Sequence, residues 1–158
     1  MKILGEKSSS DFESGFLIAY DSNPKELGLN FGVEYIFSTE FKNSVEETAI
    51  YSIYTTYTTF LGPDFNGFFK LGYSFFDYDF NGVLENIESY YGWDDFNIDV
   101  DGGFMYGFGI NFNRFQFSYT LHQGELDVSV YDDGDYQSAK GDFDVSRINL
   151  SYYLNTTF

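Results

Sequence analysis

His122 is the only histidine of this chain, within Thr120-Leu121-His122-Gln123-Gly124-Glu125. An imidazole can serve as general base to a serine when the two lie within hydrogen-bond reach and a third group orients the ring. The serine sharing its parity on an extended chain is Ser118, four residues away, and at strand spacing that is too far for a direct hydrogen bond. No catalytic residue is therefore assigned. Carboxylates offer a second chemistry. Asp94, Asp95, Asp99 and Asp101 crowd one segment, and Asp132, Asp133 and Asp135 another. Such oxygens suit Ca²⁺, but neither run has EF-hand spacing, so loosely bound Ca²⁺ is the only cofactor they imply. With no cysteine, thiolate metal sites and disulfides are excluded.

Those residues must be positioned by strands. Along 27–37 the apolar residues Leu27, Leu29, Phe31, Val33, Tyr35 and Phe37 alternate with Gly28, Asn30, Gly32, Glu34 and Ile36. A strand sends successive side chains to opposite faces, so one face is greasy and the other small or polar. The pattern recurs over 104–112 and 115–121. Eight strand-like runs follow, near 2–7, 12–20, 26–40, 48–61, 65–80, 103–113, 114–130 and 142–154. Helical periodicity is absent apart from a short turn near 83–90. Tight turns at 21–25, 62–64 and 113–114 carry Pro, Gly, Asn or Asp. The links at 8–11, 41–47, 81–102 and 131–141 are longer and polar. Two runs change phase at their long-loop ends, at Phe75-Phe76 and across Gly124 to Leu126, Val128 and Val130. A bulge in each is expected there, with strand ends that project past a bilayer.

The chain of 158 residues is read as a single domain, 1–158. Phe and Tyr contribute 20 and 15 residues, and the net charge is −17. The pI near 4.1 excludes nucleic acid as a partner. No run reaches the roughly 20 apolar residues of a membrane helix, and the mean hydropathy is −0.28. Membrane strands escape that test, because polar residues alternate with the apolar ones. No secretory signal is visible in 1–6, and an exported protein would have lost it.

The greasy face decides the fold. Eight strands enclose only enough room for ordinary side chains, and the apolar parity here is far too bulky for such an interior. The opposite parity carries Gly15, Ala19, Gly32, Gly72, Ser74, Gly107, Gly109 and Ser118, which suit a crowded lumen. Phe31, Val33, Tyr106, Phe108, Ile110, Phe117, Tyr119 and Leu150 are accordingly expected to face lipid. Glu13, Glu34, Lys70 and Arg147 then point inward, where unpaired charge is costly. They are expected to form an ion-pair network that plugs the lumen. The surviving soluble alternative is a two-sheet sandwich acting as a binding module.

The order of strands, turns and loops resembles the small eight-stranded outer-membrane barrels, namely the outer-membrane protein A and protein X type and the opacity-like adhesins. Local likenesses are Leu29-Asn30-Phe31-Gly32-Val33-Glu34-Tyr35, the Gly-alternating 104–112, and a last strand ending in Phe158. The resemblance implies an all-β, eight-stranded antiparallel up-and-down transmembrane barrel, with short turns at one end and long acidic loops at the other. It implies a location in a bacterial outer membrane and partners in its lipid and lipopolysaccharide. Phe158 would be the signal read by the barrel-assembly machinery, although Thr156 stands where an apolar residue is common. The role implied is structural, adhesive or one of surface recognition, through a host or cell-surface ligand. Lipid A deacylases are similar small barrels and supply the alternative, a lipid A-modifying enzyme. Their pattern places a serine two residues after the histidine, where this chain has Gly124.

Overall fold

The computed structural model describes residues 15–22, 27–38, 48–78, 95–132 and 134–153. The strands are β1 (Gly15–Asp21), β2 (Gly28–Ser38), β3 (Thr48–Gly62), β4 (Phe65–Tyr78), β5 (Asp95–Asp101), β6 (Gly103–Phe112), β7 (Phe115–Asp132) and β8 (Asp135–Tyr152). All eight belong to one antiparallel sheet in the order β1-β2-β3-β4-β6-β7-β8, with β5 paired to the far half of β7. One sheet removes the two-sheet sandwich. Among the described residues no helix occurs and no ladder joins β1 to β8. The run expected at 2–7 lies outside the described residues.

Two long links read from the sequence contain strands. Residues 95–101, taken as part of an acidic connection, form β5. Residues 131–141 form a hairpin, with β7 and β8 paired without interruption from Phe115↔Tyr152 to Asp132↔Asp135. Its turn uses Gly134 at φ +89°, a left-handed conformation that favours glycine. The turn at Asn113 (φ +52°) closes the opposite end in the same way.

The sheet curls toward one face. Phe76 on β4 and Phe143 on β8 meet edge to face with centroids 5.4 Å apart. Three strand steps of about 4.8 Å would separate them by roughly 14 Å in a flat sheet. On the concave face lie Asn30, Glu34, Ser52, Thr56, Lys70, Ser74, Asn111, Ser118, Thr120 and His122, all buried. The convex face carries the apolar parity. Phe31, Val33, Tyr106, Phe108, Ile110, Phe117 and Leu150 are exposed there, Phe108 by 57% and Leu150 by 75%, and Tyr119 is half-buried. Ile36, Ile50, Tyr54, Phe68 and Met105 are buried among the concave polar groups, but so many polar groups inside an apolar exterior reverse the arrangement that water imposes.

The bulges expected within the fifth and seventh predicted runs do not occur there. β4 keeps register with β6 from Phe65↔Phe112 to Ser74↔Gly103, and β7 keeps register with β8 throughout. The irregularity sits between them. Asp101 opposes Glu125 and Met105 opposes His122, so three residues at 102–104 face two at 123–124. This extra residue lets β5 and β6 act as one bent strand. Tyr73 Oη donates to the Gly102 carbonyl at 2.7 Å, on the bulge. Tyr73→Phe is expected to remove about 0.5–1.5 kcal/mol and to speed amide exchange in β5 while leaving β6 protected, as read by hydrogen exchange.

Beyond that level the hydrophobic phase of β7 and β8 reverses on an unbroken backbone. On β7 the convex parity runs Phe115, Phe117, Tyr119, Leu121, then Gln123, Glu125, Asp127. The concave parity runs Gln116, Ser118, Thr120, His122, then Gly124, Leu126, Val128, Val130. β8 does likewise: Tyr152, Leu150 and Ile148 give way to Ser146, Asp144 and Asp142 on the convex side. On β5 the exposed positions are Asp95, Asn97, Asp99 and Asp101, while Phe96, Ile98 and Val100 turn inward. On β7 and β8 the reversal is therefore a property of the side chains, with the strands themselves regular, whereas between β5 and β6 the extra residue turns the apolar even-numbered positions from the concave to the convex face.

Candidate functional site: a polar interior

Tyr54 organises the centre of the concave face. Its ring lies where a Cβ on Gly32 would stand, 2.4 Å from Tyr54 Cε2, and a Cβ on Gly72 would lie 2.7 Å from Tyr54 Cβ. The small residues therefore make room for one large one. Reaching past β2, Tyr54 Oη donates to Asp21 Oδ1 on β1 at 2.7 Å. Lys70 Nζ stands over the ring, 3.9 Å from its centroid, in cation–π range.

Lys70 also donates to Glu34 Oε2 at 2.8 Å, with the two side chains only 6% and 2% exposed. The structure thus brings together two of the four residues expected to form the network. Arg147 lies on the same face, across from Thr120, and Glu13 falls outside the described residues. A carboxylate and an ammonium this well buried are tolerable only as a pair, because either charge alone would forfeit its hydration.

Toward the short-turn end, Gln116 Nε2 donates to Asn111 Oδ1 at 3.0 Å and to Tyr153 Oη at 2.5 Å. Tyr153 stands near enough to Asp21 for the two side chains to interact electrostatically. Asp21 closes β1 and Tyr153 follows β8, so the ends of the first and last strands of the sheet approach one another here.

His122 has a hydroxyl neighbour that sequence spacing did not reveal. Ser74 Oγ and His122 Nδ1 share a hydrogen bond of 2.7 Å, and Ser52 Oγ lies 2.9 Å from Ser74 Oγ. β4 and β7 are separated by β6, and only the curl of the sheet unites them; nothing local to either strand signals it. His122 Nε2 has no hydrogen-bond partner among the described residues. Among the described residues no carboxylate orients the ring as in a triad, and both Ser74 and His122 are fully buried.

The acidic positions lie elsewhere. Asp95, Asp99 and Asp101 occupy the exposed face of β5, and Asp132 and Asp135 flank the hairpin turn. Asp94, Asp133 and Phe158 are outside the described residues. Across the strands Asp99 opposes Asp127, and Asp101 opposes Glu125. Like charges so placed repel. Lys140 answers them, bonded to Glu125 and 3.5 Å from Asp127 Oδ2. The Glu125 carboxylate holds the Lys140 ammonium above the ordinary lysine range. Among the described residues no three His, Cys, Asp or Glu are grouped to hold a metal.

Neither family models, nor curated proteins, nor solved structures gave a match to this chain.

Proposed function

We propose that the protein is an integral outer-membrane β-barrel, closed by its first and last strands, with lipid against its convex face and a lumen filled by its own polar side chains. The observation that carries this reading is the reversed polarity of the sheet, apolar outside and polar inside. No single soluble sheet gains from exposing Phe16, Leu29, Phe31, Phe69, Phe108 and Leu150 while burying Glu34, Lys70 and His122.

Three further features support it. Aromatic residues gather at two levels of the convex face. Phe16, Phe37, Tyr35 and Tyr51 stack side by side at one, and Phe65–Phe112 and Phe115–Tyr152 pair at the other. Barrels keep such girdles at both membrane surfaces. The apolar convex run from Phe65 to Phe75 on β4 covers roughly 33 Å at about 3.3 Å per residue, and a tilt of about 40° would bring it near the usual 25 Å band. Asp21 and Tyr153 approach one another where β1 and β8 would close.

On this reading the short turns face the periplasm. The acidic hairpin of β7 and β8, with β5 beside it, stands outside the cell. The lipid and lipopolysaccharide of the outer membrane are the partners of the convex face, and adhesion or recognition of a surface ligand falls to the projecting strands. No catalytic step is assigned.

Folded in detergent and loaded unheated on a denaturing gel, the protein is expected to migrate apart from a boiled sample, as a barrel that resists the detergent does. A single band under both conditions, together with a monodisperse detergent-free state, would replace the membrane reading with a soluble one.

A further inference from the structure

We propose that the lumen is sealed against ions by a ring of apolar side chains at the level of the phase reversal, and that the Glu34–Lys70 pair lies in a wet polar well beneath that seal. This inference rests on the barrel reading above.

The ring is assembled from nearly every strand. Ile36, Ile50 and Phe76 are joined across β2, β3 and β4 by register, Ile36↔Ile50 and Ile50↔Phe76. Val100 opposes Leu126 across β5 and β7. Phe143 on β8 completes the set through its edge-to-face contact with Phe76. Ile36 is 1% and Ile50 3% exposed. A Cβ on Gly124 would meet the Phe76 ring at 2.8 Å, so that glycine leaves the ring its space. A narrow apolar constriction expels water, and ions do not cross without their hydration.

One inward step toward the short turns the chemistry changes. Glu34, Ser52 and Ser74 share a row, Glu34↔Ser52↔Ser74, directly beneath Ile36, Ile50 and Phe76. On this side Glu34 Oε1, Thr120 Oγ1 and His122 Nε2 are buried without a hydrogen-bond partner among the described residues. The three side chains are all more than nine-tenths buried, and interior polar atoms of this kind are ordinarily satisfied by ordered water. From them a file of polar groups continues through Lys70, Tyr54, Asp21 and Tyr153 to Gln116. On this proposal the well runs toward the short turns, with Phe68 and Met105 buried in its wall, and ends blindly under the apolar ring. The ion pair belongs to its lining; the barrier stands above.

The test is ion current through planar lipid bilayers in potassium chloride, with heat-dependent gel migration confirming that each variant is folded. Wild type is expected to give no current steps. Phe76→Ala combined with Phe143→Ala is expected to produce discrete steps, and Glu34→Gln combined with Lys70→Met to remain silent. Should the double alanine variant lose its folded band, Ile50→Thr, which keeps a branched side chain and adds a hydroxyl to the ring, is expected to produce the steps instead. Current in wild type, silence in a folded ring variant, or opening by the ion-pair variant would each overturn the seal. Loss of the folded band in wild type would instead overturn the barrel reading.

Discussion

Phe108→Arg is expected to lose about 2–4 kcal/mol of folding free energy in phospholipid vesicles, the usual cost of an arginine on the lipid face near the midplane. Phe108 lies midway along the convex face of β6, 57% exposed, beside Tyr119 at 5.7 Å. In water an exposed arginine there would be harmless or would aid solubility. The matched control is Asp99→Arg, on the convex parity of β5 beyond the bulge, where about 0–1 kcal/mol is expected. Equilibrium urea titration of both variants in vesicles provides the comparison. Equal effects at the two positions would mean that hydrocarbon does not cover Phe108.

Lys70→Met is expected to cost about 3–5 kcal/mol, the penalty for leaving one member of a buried pair without its partner. Glu34 Oε2 would lose the hydrogen bond that the Lys70 ammonium donates, and Oε1 has no partner among the described residues. Adding Glu34→Gln to Lys70→Met is expected to recover most of that loss, since a pair replaced as a unit is often close to neutral. The same urea titration, run on the two single variants and the double, separates the pair's coupling from its desolvation. Additive losses would show that the 2.8 Å contact contributes nothing beyond each charge alone.

How much of this was legible before any coordinates depended on whether the signal was local. Alternation over 27–37, 104–112 and 115–121 exposes both face and strand, because the side-chain period of two is written directly in residue order. Glu34 and Lys70 could be named as inward charges from parity alone. Their contact across β3 could not, since it needs the curl of the sheet. The Ser74–His122 contact was hidden for the same reason, and attention to Ser118 on the same strand pointed away from it. β5 was missed because Asp95, Asn97, Asp99 and Asp101 are poor strand formers and masked the alternation of Phe96, Ile98 and Val100. The hairpin end was read as a loop on the same acidic grounds, although the Asp-Gly pair at 133–134 is a two-residue turn signal. The phase changes at Phe76 and Leu126 are legible, but their cause is not: β4 and β7 run regularly there, and the extra residue sits on the neighbouring strand at 102–104, opposite Gly124.

The reversal along β7 and β8 also fixes a float line. Sliding a strand by two residues preserves every parity, so the backbone itself offers no resistance to rising or sinking. The side chains do, once lipid surrounds them. A downward slide of two steps would drag Gln123 and Glu125 toward hydrocarbon, and an upward one would lift Phe104 and Leu121 into water. On the membrane reading proposed above, the molecule therefore rides at one draught. In a sheet of lipid too thick or too thin it is the lipid that must stretch or compress, or the whole body that must lean, at a fraction of a kcal/mol for each ångström of mismatch.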